Sequence, residues 1–560
     1  MNPPEAVADR RLSESSTPRL HIAGRSDVAP ASAEAEFKGR VPHRRASLYE
    51  ATAALRERKQ QATSGAEQAT RRQRALGKMT VRERLQAFLD DGSFVEIGLL
   101  ARHRAAGFGL ERSRPDTDGV VTGWGTVDGR KVFVYAHDFR IFGGSLGEVF
   151  ATKIHTLMDL ASRTGAPIIG LNDGGGARIQ EGITALAGFG GIFARNVSLS
   201  GVVPQISVIL GPCAGGAAYS PALTDFVFSV KDKTNLFLTG PDVVEAVTGE
   251  KTTHEELGGA VTHATRTGLA SFLADDESSC FDEVRYLLSF LPSNNHEDPP
   301  YFAPTDQPSR RCDELLHVVP AEANRAYDVR DVIEVIVDDG DYLEVHPLWA
   351  MNIVCALARL DGHVVGIVAN QPLVLAGALN IDAAEKAARF VRSCDSFNIP
   401  LVTLVDVPGF LPGVDQEHAG IIRRGAKLLY AYCESTVPRV QVVLRKAYGG
   451  AYIVMDSKSL GADLAFAWPS NEIAVMGAEG AASIIFRKEL AATPDPVQRR
   501  QELVAEYTER LMSPYIAAER GMVDDVIDPG DTRTILIRSL DMLRSKRASS
   551  PHRKHGNIPL

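Results

Sequence analysis

Val203-Pro204-Gln205-Ile206-Ser207-Val208-Ile209-Leu210 runs into Gly215-Gly216-Ala217, and Val437-Pro438-Arg439-Val440-Gln441-Val442-Val443-Leu444 runs into Gly449-Gly450-Ala451. The apolar run and the glycine turn both recur 234 positions later, from 203 to 437 and from 215 to 449. Upstream the spacing is 233: Asp128-Gly129 answers to Asp361-Gly362, Lys153 to Lys386, Pro167 to Pro400 and Asp173 to Asp406. Earlier still, Asp91-Gly92-Ser93-Phe94-Val95-Glu96 is echoed by Asp339-Gly340-Asp341-Tyr342-Leu343-Glu344. A β-rich run ending in Gly-Gly ahead of a helical segment predicts a buried strand, a tight turn and a helix. Repetition at this period predicts two copies of one domain. The preserved element has no side-chain nucleophile, which points to backbone N–H groups stabilising an oxyanion.

At 560 residues, 44% of them hydrophobic, the chain can bury more than one core. Its net charge of −9 disfavours general affinity for nucleic acid or an anionic membrane, since both reward a basic surface. Six cysteines, none in a CxxC pair, fit neither a zinc ribbon nor a disulfide scaffold, and a reducing cytoplasm is expected. No apolar run approaches the roughly 18 residues of a membrane span. Residues 1–45, rich in Ala, Pro, Ser and Arg, read as a disordered extension. Glu5, Asp9 and Glu14 are unusual for a transit peptide.

The spacing predicts a helix over 46–62 and a second opened by the capping box Thr80-Val-Arg-Glu83 and stopped at Asp91-Gly92. Strands are expected at 131–135, 167–171 and 205–210, and helices at 148–163 and from about Ala217. After a Pro- and Asn-rich linker over 292–311 the alternation returns. Strands are expected at 363–369, 400–406 and 438–444, and helices at 382–397 and from about Ala451. This alternation predicts layered α/β structure. The expected division is 1–45 extension, 46–300 N-terminal domain and 312–560 C-terminal domain. The basic tail 546–555 reads as solvated.

Gly-Gly between strand and helix lets a ligand oxygen approach the backbone, and the helix start adds unsatisfied N–H groups. A second glycine loop precedes each turn: Phe142-Gly143-Gly144-Ser145-Leu146-Gly147, answered by Ala376-Gly377-Ala378-Leu379-Asn380. Each loop is placed to supply the other N–H of its hole. Gly143-x-Ser145-x-Gly147 matches the nucleophile elbow of serine hydrolases, but Ala378 stands where its Ser would repeat, so that chemistry leaves the duplication unexplained. Asp173-Gly-Gly-Gly-Ala-Arg178 lacks the Lys-Ser/Thr of a phosphate loop, and His254-Glu255-Glu256 is no HExxH metal motif.

These motifs together are specific. Phe142-Gly-Gly-Ser-Leu-Gly147, Gly175-Gly-Ala-Arg-Ile-Gln-Glu-Gly182, Gly211-Pro-Cys-Ala-Gly-Gly-Ala-Ala-Tyr-Ser220, Asp406-Val-Pro-Gly-Phe-Leu-Pro-Gly413, Gly420-Ile-Ile-Arg-Arg-Gly-Ala-Lys427, Arg445-Lys-Ala-Tyr-Gly-Gly-Ala-Tyr452 and Lys554-His-Gly-Asn-Ile-Pro-Leu560 recur in one family. The chain resembles, over about 46–560, the carboxyltransferase (β) subunits of biotin-dependent acyl-CoA carboxylases of the propionyl-CoA carboxylase type.

The resemblance implies two tandem crotonase-like (ββα superhelix) domains related by internal duplication. It further implies a homo-hexamer of two stacked trimers, with each active site between the N-domain of one subunit and the C-domain of another. By the same resemblance, Gly215 and Gly216 would hold the thioester oxygen of an acyl-CoA, such as acetyl- or propionyl-CoA. Gly450 and Ala451 would hold the ureido oxygen of biotin. Carboxybiotin would release CO₂, the biotin anion would remove the α-proton, and the enolate would capture CO₂. Gly143, Gly144 and Gly449 would complete the substrate contacts, and Ile453 would line the acyl pocket. No metal is implied.

Lys78-Met79 is preceded by Gly77, so no Met-Lys-Met biotinylation site occurs, and the resemblance implies a partner (α) subunit carrying biotin carboxylase and biotin carboxyl carrier functions. Gly174, Ala378, Asn380 and Asp456 depart from the residues usual in the family and bear on acyl specificity. Two other readings stay open: the carboxyltransferase subunit of a biotin-dependent decarboxylase with a membrane partner, and a non-catalytic paralogue scaffolding a mixed hexamer.

Overall fold

The computed structural model describes residues 47–320, 322, 324–548 and 551–560, so the extension expected over 1–45 lies outside the described residues. The chain divides into two compact units, Met1–Arg56 and Glu57–Leu560. Of the first unit, residues 47–56 are described, and they enter the helix Leu48–Ser64. The second unit holds both copies of the repeat.

Each copy builds one eight-stranded sheet. The first comprises β1 (Val95–Ile97), β2 (Val120–Val127), β3 (Arg130–His137), β4 (Ile168–Gly174), β5 (Gln205–Ala214), β6 (Phe226–Val230), β7 (Asn235–Phe237) and β8 (Phe272–Ala274). The second comprises β9 (Tyr342–Glu344), β10 (Ile353–Leu360), β11 (His363–Asn370), β12 (Leu401–Val407), β13 (Arg439–Tyr448), β14 (Leu464–Ala467), β15 (Glu472–Ala474) and β16 (Asp525–Val526). The strand orders are β1-β2-β3-β4-β5-β6-β8 and β9-β10-β11-β12-β13-β14-β16, with β7 on β5 and β15 on β13. Only the hairpin strands at the start of each sheet pair antiparallel.

The near-continuous apolar strands follow from burial on both sheet faces. In β3, Val132, Val134 and Ala136 enter a core shared by the two copies, while Phe133 and Tyr135 face a core private to the first. In β12, Leu401, Val405 and Val407 enter the shared core, and Val402 and Leu404 the core private to the second. The expected helices lie at Glu148–Thr164 and Ile381–Ser396, and Thr80 closes its capping box on Glu83. Among the described residues no helix or strand occurs between Leu288 and Leu315. This segment is fastened to both copies: Asn294 Nδ2 donates to Gly165 O at 2.9 Å and Phe302 N to Gly362 O at 3.0 Å.

Most of the described tail is exposed as expected, at Arg547, Ala548 and residues 551–555, and Lys546 is the exception. Lys546 is not solvated: its ammonium donates to Asp463 at 2.7 Å and to Val437 O at 2.9 Å. Arg553 pairs with Glu434 at 2.5 Å.

Candidate functional site

β5 pairs with β6 as far as Ile209, then turns away to pair with β7 through Pro212–Ala214. β13 does the same, leaving β14 after Val443 and joining β15 through Lys446–Tyr448. The ladder to the preceding strand slips at the matching place, between Asn172 and Gly174 in β4 and between Val405 and Val407 in β12. Each strand end thereby leaves its first neighbour for a second one and delivers a glycine turn.

Gly215 adopts φ 60, ψ −123 and Gly449 φ 62, conformations that a Cβ penalises. The Gly215 N–H donates to Phe237 O at 3.0 Å, closing the turn. Gly216 and Ala217 open the helix Gly216–Ala222, where first-turn amides lack an intrahelical acceptor. The next amide, Ala218, returns to Gly215 O at 3.0 Å. In the second copy Gly449, Gly450 and Ala451 open the helix Gly449–Val454. A Cβ at Gly450 would meet no atom within 4 Å, and the residue is exposed. Ala451 is 1% exposed and packs into the shared core. The spacing of 234 aligns Gly216 with Gly450 and Ala217 with Ala451, one position off the pairing expected from sequence.

The preceding loops are single 3₁₀ turns, Phe142–Gly144 and Leu375–Gly377. Gly144 N–H donates to Ile141 O and Gly377 N–H to Val374 O, each at 3.0 Å. Gly144 is thus a second expected contact whose amide is already committed. Among the described residues no backbone acceptor takes the amides of Gly143 or Ala376, which occupy left-handed positions at φ 62 and 52. A Cβ at Gly143 would meet nothing within 4 Å.

Loop and turn are joined. Gly175 N–H donates to Gly143 O at 3.0 Å, and a Cβ at Gly176 would lie 2.7 Å from Ala214 O. Gly143 therefore sits on one side of the Gly175–Gly176 segment and the end of β5 on the other. A Cβ at Gly174 would overlap the Gly144 carbonyl, so the family's usual Ser would not fit this loop as it stands. Ser145 Oγ donates to Phe142 O at 2.7 Å, a local bond and not a nucleophile–base contact. Asp456 is wholly buried against Arg439, which answers the departure at that position. Asn380 caps its helix by accepting Ala383 N–H at 2.9 Å.

Behind each turn stands a buried acid at the end of the neighbouring strand. Asp173 pairs with Lys78 at 2.6 Å and Arg84 at 2.8 Å; Asp406 pairs with Arg445 at 3.0 Å. Burial pushes the Asp406 carboxyl up although Arg445 opposes the shift. The backbone N–H of Asp173 donates to His137 Nδ1 and that of Asp406 to Asn370 Oδ1, both at 3.3 Å. Burial lowers His137 from 6.5 to about 4, so the ring is a neutral acceptor near pH 7. Sequence reading passed over His137 and Asn370, although they lie 233 positions apart, and it named the loop of Ala376 as a donor without singling out that amide.

Neither turn lines the two cavities of about 690 and 430 Å³. Both open at the surface beside exposed apolar residues: Leu238 O lies 3.8 Å from a Cβ at Gly215, and Val475 O 3.1 Å from one at Gly449. Ile453, one turn on, is 41% exposed. Among the described residues no helix is long and apolar enough to cross a membrane.

Comparison with known proteins gives one answer. The carboxyl transferase domain matches residues 72–558. A propionyl-CoA carboxylase carboxyltransferase subunit of Haloferax mediterranei is 59% identical over 507 residues, covering 90% of this chain and 98% of that protein. A methylmalonyl-CoA decarboxylase subunit alpha of Propionigenium modestum is 54% identical over 489 residues, covering 87% and 95%. Among solved structures, transcarboxylase 12S, a hexamer with methylmalonyl-coenzyme A and methylmalonic acid bound, superposes with a TM-score of 0.90 at 52% identity, covering 92% of this chain and 99% of that one.

Proposed function

The chain belongs to the carboxyl transferase domain family and is a carboxyltransferase subunit of the biotin-dependent kind, and from that premise we propose that it carboxylates the α-carbon of a short acyl-CoA such as propionyl-CoA. One observation carries the reading: each copy holds amides that no backbone acceptor takes in both its loop and its turn, Gly143 and Gly216 in the first, Ala376 and Gly450 in the second. Two such pairs match a reaction in which negative charge develops on two different oxygens.

Gly216, with Ala217 beside it and Gly143 across the Gly175–Gly176 segment, would hold the thioester oxygen. N–H donors aimed at a developing oxyanion are each worth about 10²- to 10³-fold in rate. Their hold on that oxygen lowers the cost of removing the α-proton and keeps the enolate until carboxylation. Gly450 and Ala376 would receive the ureido oxygen of biotin, and the exposure of Gly450 and its unspent N–H fit such a group. Biotin, carried on a partner subunit, supplies the activated carboxyl group. Ile453, exposed in the helix that Gly450 opens, would set the room left for the acyl chain.

A complete site needs a second copy of the chain. Leu238, Tyr219, Ile183 and Leu186 near the first turn, and Val475, Ile422 and Ile484 near the second, are exposed apolar residues of the kind a subunit interface buries. The proposed assembly is a homo-hexamer of two stacked trimers in a reducing cytoplasm, with the domains divided at 46–300 and 312–560. The partner is a biotin carboxylase/carrier subunit.

A second reading, a decarboxylase subunit running the same transfer in reverse, is favoured by the 54% identity to methylmalonyl-CoA decarboxylase alpha. Affinity capture separates the two: recovery of a biotin carboxylase supports the carboxylase, and recovery of membrane subunits without one supports the decarboxylase. Turnover of an acyl-CoA panel by the complex with its biotinylated partner tests the substrate class. Failure to carboxylate acetyl-, propionyl- or butyryl-CoA would remove the primary reading.

A further inference from the structure

The same carbonyl is fixed in both copies by unlike groups. Two residues after the free amide of Gly143, Ser145 O accepts from Arg178 Nη2 at 3.0 Å; two residues after that of Ala376, Ala378 O accepts from Asn352 Nδ2 at 2.7 Å. In the second copy Leu411 occupies the position of Arg178. The first copy thus buries a charge where the second makes do with an amide.

Arg178 is 1% exposed, and its other bonds reach three further anchors. Nη1 donates to Asp118 Oδ1 and Glu181 Oε1, both at 2.7 Å, and Nη2 to Asp118 O at 3.1 Å. The guanidinium lies over the Phe142 ring, 4.7 Å from its centroid. Glu181 Oε2 accepts Glu148 N–H at 2.8 Å, so the cluster also holds the start of the helix that follows the loop. Asp118 Oδ2 accepts Phe150 N–H at 2.9 Å, while Thr117 and Asp118 sit in left-handed positions at φ 70 and 53 that side chains disfavour.

We infer that Arg178 is a positioning residue of the first oxyanion hole, holding the Phe142–Gly147 loop so that the Gly143 N–H stays in register with that of Gly216. This rests on the assignment of those amides made above. Buried ion clusters are a poor source of stability compared with apolar packing, whereas a planar five-donor fork fixes geometry well. Its four bonds tie a strand entry, a loop and a helix start to one point, and a lysine cannot reproduce them. Because the loop's amide is asked to bind charge that develops during reaction, its displacement lowers turnover and leaves acyl-CoA affinity nearly unchanged.

The test compares Arg178→Lys, Arg178→Ala and Asp118→Asn in the complex with the biotinylated partner, with assembly checked by light scattering. A fall in kcat of about 10- to 100-fold is expected for Arg178→Lys, with KM for acyl-CoA within about threefold and Asp118→Asn intermediate. Methylguanidinium is expected to restore part of the turnover of Arg178→Ala. Wild-type kcat in Arg178→Lys, or a raised KM at unchanged kcat, overturns the inference. Should the Arg178 variants fail to assemble, Asp118→Asn, which keeps the guanidinium and weakens its pairing, is held to the same criterion. Gly216→Val separates the levels. If it is inactive while Arg178→Lys turns over normally, only this inference fails; if it too turns over normally, the hole assignment fails with it.

Discussion

Leu146 and Leu379, 233 positions apart, make the same pair of backbone bonds. Leu146 N–H donates to Gly176 O and its carbonyl accepts Arg178 N–H, both at 2.8 Å; Leu379 N–H donates to Gly409 O at 3.1 Å and its carbonyl accepts Leu411 N–H at 2.8 Å. Each bridge ties the loop that bears a free amide to the strand end beside the glycine turn. The duplicated feature is a way of holding backbone donors, and the side chains around it have been free to diverge.

Gly450→Val adds a branched side chain whose Cβ meets no atom within 4 Å beyond its own helix, so the fold should tolerate it. The expected result is an intact assembly with carboxylation reduced by about 10²-fold or more. Gly216→Val should reduce activity as much and cost some stability, since a Cβ there comes 3.0 Å from the Phe189 ring. Steady-state turnover at the wild-type level in Gly450→Val would contradict the assignment.

Ile453→Asp exchanges an exposed apolar side chain beside the second turn for a charged one. The ratio of acetyl-, propionyl- and butyryl-CoA carboxylation is expected to change. Identical ratios would place Ile453 outside the acyl pocket.

His137 links acid stability to the strand end. Its folded-state pKa, about 4, lies below the 6.5 of an exposed ring. The stability this shift represents is complete above pH 6.5 and is lost as pH falls through 4, because the unfolded chain binds the proton first. The shift is worth about 3 kcal/mol. His137→Asn installs the residue that the second copy uses at this place, Asn370, and should keep neutral stability within about 1 kcal/mol while flattening the acid limb. Denaturant midpoints measured from pH 7 to 4 check this; an unchanged acid limb would show that His137 does not control it.

Lys386 is 2% exposed and its ammonium donates to the carbonyls of His346 at 2.9 Å, Trp349 at 3.0 Å and Ile353 at 2.8 Å. Lys153 performs the same office in the first copy, on Thr117 O at 3.0 Å and on Val120 O. Lys386→Met leaves those carbonyls without their donor, at an expected cost of about 3 kcal/mol or more in unfolding free energy. A loss below about 1 kcal/mol in chemical denaturation would mean other donors replace it.

The paired architecture was legible in the sequence because it rests on local signals: β-branched runs such as Ile206–Leu210, Gly-Gly turns and the Thr80 capping box. The family resemblance added the assembly and the reaction. What stayed hidden was which amides are already spent. Gly215 gives its N–H to Phe237, on a three-residue strand whose pairing leaves no periodic trace, and Gly144 gives its own to Ile141 inside a turn that looks like any glycine loop. The ion cluster on Asp173 draws Lys78 and Arg84 from nearly a hundred residues upstream, and nothing in their spacing announces it.

Complementation between subunits probes most directly whether the two turns meet across a subunit boundary. Subunits carrying Gly216→Val keep an intact second turn, and subunits carrying Gly450→Val keep an intact first one. Co-expression should yield mixed assemblies in which about a quarter of the sites join two intact turns, with activity recovered in proportion. Mixed assemblies as inactive as either variant alone would contradict a site shared between subunits.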